Sequence, residues 1–200
     1  MDNNKLKKLL EELSSFEQLK PSSIPDIDLY MDQVTTFIDE KLGYLKRNEK
    51  DTALTKTMIN NYTKAGILMP PNKKKYSKQH MILIVLIYYL KHILSINDIQ
   101  RLFLPLVESI NSGENHDEDL EYIYNSFLKI ERKEMDEFIG NFEDKIHECT
   151  DYIDAEDTGL ERGKRVDKDD VSSLIVIVIM LVVKANIEKR MAEKIIDEFF

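Results

Sequence analysis

The chain is poor in the residues that build tight turns and cross-links. It has six glycines, five prolines and one cysteine among its 200 residues, and no tryptophan. So little glycine and proline leaves few turns for an all-β protein. The single cysteine, Cys149, excludes a disulfide framework within the chain and a zinc site built on several cysteines. It is typical of the reducing cytoplasm. The composition therefore favours an all-α, cytoplasmic protein.

Targeting signals and membrane-spanning runs are also lacking. The N-terminus, Met-Asp-Asn-Asn-Lys, has no apolar segment of the kind found in secretory signals. The longest apolar run, residues 171–183, contains 13 residues, two of them serines. As a helix it would be about 20 Å long, short of the roughly 30 Å hydrocarbon core of a bilayer. We therefore expect a buried helix and no membrane span.

No sequence motif points to catalysis. The chain has no glycine-rich phosphate loop, no Gly-x-Ser-x-Gly and no His-Glu-x-x-His. His147 and Cys149 could ligate a metal together with Asp144 or Asp151, but residues i and i+2 of a helix point apart. His116 is better explained as part of a solvated helix start. We expect no enzyme, no metal site and no cofactor.

Charge is distributed unevenly along the chain, whose net charge is −9. Residues 46–101 carry 11 positive and 3 negative side chains, whereas residues 1–45 carry 5 and 9 and residues 102–200 carry 12 and 25. A basic middle between acidic flanks predicts one face for a polyanion and other faces kept away from it.

Apolar periodicity predicts two helices before this basic middle. The first, in residues 1–20, has leucines and a phenylalanine at helical spacing. It is interpreted as an amphipathic helix that docks on its own protein. A membrane-surface helix is the disfavoured alternative, because the polar face mixes both signs of charge. Residues 26–47 are predicted to form one long helix with a bend at Gly43.

The stretch from Thr52 to Phe103 has the order helix, basic tip, helix, helix. A short helix over residues 54–65 ends at Gly66, and the tip Asn-Lys-Lys-Lys-Tyr follows at 72–76. An apolar helix is predicted for 78–94, and a short helix starts at Ser95 and ends before Pro105. This order is that of a winged helix-turn-helix.

Two resemblances to known families lie in this part of the chain. The sequence Met-Ile-Asn-Asn-Tyr-Thr-Lys-Ala-Gly-Ile-Leu-Met-Pro-Pro at 58–71 resembles the second helix of MerR-type regulators, with matches at Ile59, Tyr62, Gly66 and Leu68. Tyr-Ser at 76–77 is similar to the end of that family's wing. The likeness covers about residues 28–104, although Asn60 stands where the family has arginine. The pattern from residue 24 onward resembles the Firmicutes family known as domain of unknown function 1836.

The MerR-type resemblance implies a DNA-binding surface. Helix 54–65 would enter the major groove, and the lysine-rich wing at 72–76 would follow the phosphate backbone. The predicted DNA-binding residues are Thr55, Lys56, Thr57, Asn60, Asn61, Lys64, Lys73, Lys74, Lys75 and Tyr76. Asparagine and threonine can donate to and accept from base edges, and lysine reaches phosphates. An ordinary polar surface is the alternative interpretation of the same residues.

The C-terminal part is predicted to be helical. A polar linker at 107–118 precedes a long helix over about 119–153, and a loop at 155–166 precedes a last helix from about residue 167. The apolar run at 171–183 needs cover from the first half of the chain or from a second copy, and we favour the second copy. The aromatic residues between 122 and 152 would line an effector pocket or, as we prefer, pack in the core.

These inferences combine into one expectation. We expect an all-α chain with an amphipathic helix at 1–22, a MerR-like winged helix-turn-helix at 23–105 and a helical region at 106–200. The expected function is sequence-specific binding of double-stranded DNA by a homodimeric transcriptional regulator. Its C-terminal helices would form the dimer and could hold a small-molecule effector. The alternative function is a protein-interaction adaptor that keeps the fold without binding DNA.

Overall fold

The computed structural model describes residues 3–15, 17–48, 50–112, 117–156 and 171–200, and it is mainly α-helical. The helices are α1 (Asn3–Ser14), α2 (Met31–Leu42), α3 (Lys56–Lys64), α4 (Lys78–Leu90), α5 (Ile96–Ser112), α6 (Asp117–Glu156) and α7 (Val171–Phe199). Strands β1 (Leu29–Tyr30) and β2 (Lys75–Tyr76) pair antiparallel. The prediction of a mainly helical chain is confirmed.

Contacts divide the chain into two compact units. One contains residues 18–129 and 191–200, and we call it the α4 unit after its central helix. The other contains residues 1–17 and 130–190, and we call it the α7 unit. The boundaries predicted at residues 22 and 105 follow sequence patterns and remain predictions.

The core of the α4 unit is built around α4. Every residue of this helix from His80 to Tyr88 is buried, because apolar side chains occupy all its faces. Helix α5 adds Ile99, Phe103 and Val107 to this core. Among the described residues, this core also includes buried side chains from the segment before α2, from α6 and from the end of α7, namely Leu19, Ile24, Leu29, Leu120, Tyr124, Leu128 and Ile196. The predicted central role of this helix is confirmed.

Helix α5 is longer than predicted. It was expected to end before Pro105, but it continues to Ser112 with Pro105 inside it. The proline lacks an N–H and removes one helical hydrogen bond. Beyond it, Leu106 and Ile110 pack against the core and Val107 is buried within it. This burial holds the helix together. The linker predicted at 107–118 was therefore wrong over residues 107–112, which belong to α5, and over residues 117–118, where α6 begins.

The helix predicted for residues 26–47 is shorter at both ends. Helix α2 begins at Met31, because residues 29 and 30 form β1, and it ends at Leu42. A single 3-10 turn, Gly43–Leu45, follows it. The predicted bend at Gly43 is therefore the end of the helix.

The α7 unit contains α1 and long parts of α6 and α7. Its described side chains include two buried residues, Phe142 and Ile177. The rings of Phe138 and Phe142 pack with centroids 5.0 Å apart. The long helix predicted for 119–153 is confirmed, and the predicted helix start near 167 lies outside the described residues. Within the described chain, no helix is long and apolar enough to cross a membrane.

Candidate nucleic-acid interface

Helix α3 is nine residues long and is defined by its two ends. At its start, the Thr55 hydroxyl accepts a hydrogen bond from the Met58 N–H at 3.2 Å, which satisfies one of the free donors of the first turn. At its end, Gly66 adopts a φ of 71°, and the Ile67 N–H donates to the Tyr62 carbonyl at 3.0 Å. A left-handed residue at this position closes a helix, as the sequence predicted.

One face of α3 is buried and the other is open to solvent. Ile59 and Tyr62 lie in the core, and burial raises the pKa of the Tyr62 hydroxyl above its usual range. The remaining predicted contacts on this helix, Lys56, Thr57, Asn60, Asn61 and Lys64, are all exposed. Their spacing of one, three, one and three residues places them side by side on the outer face. The helix therefore presents two amides, a hydroxyl and two ammonium groups together.

The lysine tip is a tight turn with unusual backbone geometry. Lys73 and Lys74 have φ values of 48° and 66°, and the Lys75 N–H donates to the Asn72 carbonyl at 2.9 Å. Two central residues with positive φ are the mark of a type I′ turn, which favours Asn-Gly. Non-glycine residues in such conformations cost of order 1–3 kcal/mol each and cluster at functional sites. Two exposed lysines here thus favour a function for their charges.

The tip is joined to α2 by the two-stranded sheet. Tyr30 of β1 pairs with Lys75 of β2, and the Lys75 ammonium lies 5.3 Å from the centroid of the Tyr30 ring. Two residues further along the chain, Asp32 forms an ion pair with Lys56 of α3. The start of α2 therefore lies between the lysine tip and the first turn of α3. This contact brings the two parts of the predicted DNA surface together.

Sequence reasoning missed both residues at this junction. Tyr30 was predicted as part of a helical stripe, whereas it stands in β1 with 54% of its surface exposed. Asp32 lies in the first turn of α2, where an acidic residue is ordinary. Local sequence held no signal for either role, because the β1–β2 pairing joins residues more than 40 positions apart.

Tyr76 differs from the other nine predicted contacts. The residue is 2% exposed, and burial raises the pKa of its hydroxyl. The ring packs edge-on against His80 with centroids 5.5 Å apart. Its side chain is thus a core residue beneath the tip and does not belong to the exposed surface.

His80 connects the two ends of the tip. Its Nδ1 accepts a hydrogen bond from the Ser77 N–H at 3.1 Å, so Nε2 carries the proton and faces the Pro70 carbonyl at 3.3 Å. Burial lowers the pKa of His80, while the Pro70 carbonyl and the charge of Asp28 oppose that shift. The neutral ring thereby fixes the residues before and after the tip.

The segment before α3 is fixed by a pair of charged groups. The Ala53 N–H donates to the Asp39 carboxylate at 3.0 Å, and the Ala53 carbonyl accepts from the Lys91 ammonium at 2.8 Å. The hydrogen bonds from Ala53 and from Lys46 lower the pKa of Asp39. Because Leu54 is fully buried beside this peptide, the start of α3 is held in one place.

The aromatic residues predicted to pack in the core or to line an effector pocket divide between the two units. Tyr124 is buried in the α4 unit and donates to the Leu19 carbonyl at 2.6 Å, whereas Phe138 and Phe142 lie in the α7 unit. Tyr122 is 73% exposed, and the side chain of Tyr152 lies outside the described residues. Among the described side chains, no group of three or more His, Cys, Asp and Glu could hold a metal ion.

Comparison with known proteins identifies a match to one protein family. No curated protein and no solved structure matches the chain. A family model described as Domain of unknown function (DUF1836) matches residues 19–127, which is more than half of the 200 residues. Its limits fall within two residues of the segment 18–129 that forms most of the α4 unit. The chain therefore belongs to the DUF1836 family.

Proposed function

We propose that this protein is a sequence-specific DNA-binding transcriptional regulator that acts as a homodimer. Helix α3 enters the major groove, and the lysines of the tip follow the phosphate backbone. The observation that carries the proposal is the joint exposure of the polar face of α3 and the strained lysine turn, connected through β1 and the start of α2.

The order of elements supports the MerR-like part of the proposal. Helices α2 and α3 are followed by the tip with β2, and then by α4 and α5. This is the order of a winged helix-turn-helix in which the tip is the wing. The sequence also leads us to expect a protein from Firmicutes that resides in the cytoplasm, and both expectations form part of this proposal.

The chemistry of the exposed face supports base recognition. Asn60 and Asn61 carry amides that can bond the N6 and N7 positions of adenine, and the lysines can neutralise phosphates. No acidic residue occurs between Thr52 and Ser95, so α3 and the tip carry no negative side chain of their own. Asp32 is the exception at the edge of this surface.

Selection of bound genomic fragments, followed by titration of the selected sequence, tests the proposal. We expect the affinity to fall steeply with salt, and Lys74→Ala to reduce the salt slope by about one unit. Asn60→Ala should reduce discrimination against a mismatched site by about 1–3 kcal/mol if the amide makes a bidentate contact. In a dimer bound to DNA, the two α3 helices should lie about 34 Å apart or a multiple of that.

Lys129→Ala is the matched control for Lys74→Ala. Lys129 is an exposed lysine on α6, away from α3 and the tip in sequence, and its loss should leave the slope unchanged. Equal effects of Asn60→Ala on specific and random DNA would refute a base contact by Asn60. Retention of no fragments by the folded protein would refute the function and favour the protein-interaction adaptor.

A further inference from the structure

Residues 171–183 of α7 present apolar side chains to solvent. Seven of them are between 44% and 66% exposed, namely Val171, Leu174, Ile175, Val178, Ile179, Val182 and Val183. Helical geometry places these seven on one half of the circumference, whereas the buried Ile177 lies on the other half. We call this surface the α7 face. Monomeric soluble proteins rarely expose a contiguous apolar patch larger than a few hundred Å².

We propose that the α7 face binds the same face of a second copy of the chain and forms a two-fold dimer. The inference deepens the dimer part of the proposed function and can be tested without DNA. A two-fold interface uses the same patch on both subunits, so the patch must be compatible with itself. Residues 171–183 contain no charged side chain, and two copies therefore meet there without like charges facing each other.

Charge elsewhere on the chain favours this face over others. The net charge is −9, so two copies repel each other on average. The negative charge also disfavours an anionic membrane surface as the partner, because binding there depends on basic residues. A neutral, aliphatic face is the region where a second copy meets the least repulsion.

The segment just before α7 is poor in large apolar side chains. Residues 157–170 contain nine charged side chains and two large apolar ones, Leu160 and Val166. Two side chains cannot cover seven half-exposed aliphatic ones. A second copy, in contrast, brings an identical face of seven aliphatic side chains.

The size of the α7 face predicts a reversible dimer. Seven half-exposed aliphatic side chains offer on the order of 600 Å² per chain, below the roughly 800 Å² per partner of a standard interface. Interfaces at this end of the range are typically weak. Protein concentration would then control how much dimer is present to occupy a two-fold DNA site.

Sedimentation equilibrium over a range of protein concentrations tests the inference. We expect the average mass to rise from 23.5 kDa toward twice that value as the concentration increases. The double variant Ile179→Glu, Val182→Glu should stay monomeric, because it places four carboxylates within a dimer interface. The double variant Ile179→Ser, Val182→Ser, a milder change, should weaken the dimer at least tenfold. Circular dichroism should show unchanged helix content in both variants.

The matched control is Ile93→Glu. Ile93 lies in the α4 unit and is 52% exposed, the same fraction as Val182, so this variant should dimerise as the unaltered protein does. A monomer at every concentration would overturn the inference, as would a dimer that survives both double variants. Flotation of the monomer with neutral phosphatidylcholine vesicles would identify a membrane as the occupant and would also overturn it.

The two proposals fail in different ways. A dimer that loses its association in the Ile179 and Val182 variants but binds no DNA would support the α7 face and refute the proposed function. A monomer that binds the selected DNA with the expected salt dependence would refute the α7 face and support DNA binding.

Discussion

Helices α4 and α7 contain similar aliphatic runs with opposite degrees of burial. Met81 to Tyr88 in α4 are all at most 5% exposed, whereas seven side chains between residues 171 and 183 of α7 are about half exposed. Helix α4 is surrounded by elements of its own unit, with β2 just before it and α5 just after it. The sequence of an aliphatic helix thus indicates that its side chains have to be buried. Whether they are buried within one chain depends on the elements that pack around the helix.

A matched pair of isoleucine substitutions measures this difference most directly. Ile84→Ala removes a fully buried side chain from α4 and should lower the free energy of unfolding by about 2–5 kcal/mol, through lost burial and a residual cavity. Ile179→Ala, at a position 54% exposed in α7, should change it by less than about 0.5 kcal/mol in the monomer.

Urea unfolding at low protein concentration, where the monomer dominates, makes this comparison. The loss of unfolding free energy in Ile84→Ala should be at least about four times that in Ile179→Ala. Equal costs would mean that Ile179 is covered within its own chain, and the contrast between the two helices would then be lost.

The buried histidine of the α4 unit extends the comparison to pH. Neutral His80 is fixed in the α4 unit by Ser77 and Pro70, and burial lowers its pKa in the folded protein while Asp28 opposes the shift. The unfolded chain then binds the proton more readily, with a pKa of about 6.5. The stability that His80 contributes is complete above that pH and is lost as the pH falls through the lowered folded value.

Urea unfolding across this pH range should therefore show a decline below about pH 6.5 that shrinks in His80→Gln. At neutral pH the same variant should cost about 1–3 kcal/mol, because buried polar groups lose a partner. His147→Gln, at an exposed position of the α7 unit, should change the unfolding free energy at neutral pH by less than about 0.5 kcal/mol. A pH decline that persists in full without His80 would assign it to another group.

Within the α4 unit, the sequence predicted the short helix α3 and the central helix better than the length of α5 and the strand pairing. Helix α3, its glycine stop and the central α4 follow from local patterns, namely an apolar stripe, a cap and a fully apolar run. The extension of α5 through Pro105 was missed, because burial of Val107 outweighs a local breaker. The pairing of Tyr30 with Lys75 was missed because register between distant two-residue strands leaves no periodic signal.

The candidate surface was predicted in its exposed residues and not in its connections. Nine of the ten predicted contacts lie on the exposed or half-exposed surface. Only the apolar stripe of the short helix packs in the core, so the polar residues of the helix and of the tip face solvent. Tyr76 was selected as a wing residue but lies in the core, because alternate strand residues face opposite sides. The ion pair that brings Asp32 to Lys56 depends on the packing of α2 against α3, which no local pattern encodes.

The Asp32–Lys56 ion pair supplies the last test, in which we expect the smallest effect. It compares the charges around α3 with those of the α7 unit. Asp32 and Lys56 are exposed, so their pairing contributes little to stability. Any DNA that contacts Lys56 must compete with Asp32. Asp32→Asn should therefore leave the unfolding free energy within about 0.5 kcal/mol. In DNA titrations, it should raise affinity several-fold at low salt and steepen the salt slope by up to about one unit.

The gain should be larger on random DNA than on the selected site, because non-specific binding rests almost entirely on phosphate contacts. Asp32 would then act as a specificity residue that weakens non-specific binding. Asp136→Asn, which removes an exposed carboxylate from the α7 unit, changes the net charge equally and should leave both affinities nearly unchanged at moderate salt. Equal gains from both substitutions would mean that overall charge, and not the position of Asp32 beside α3, controls the affinity.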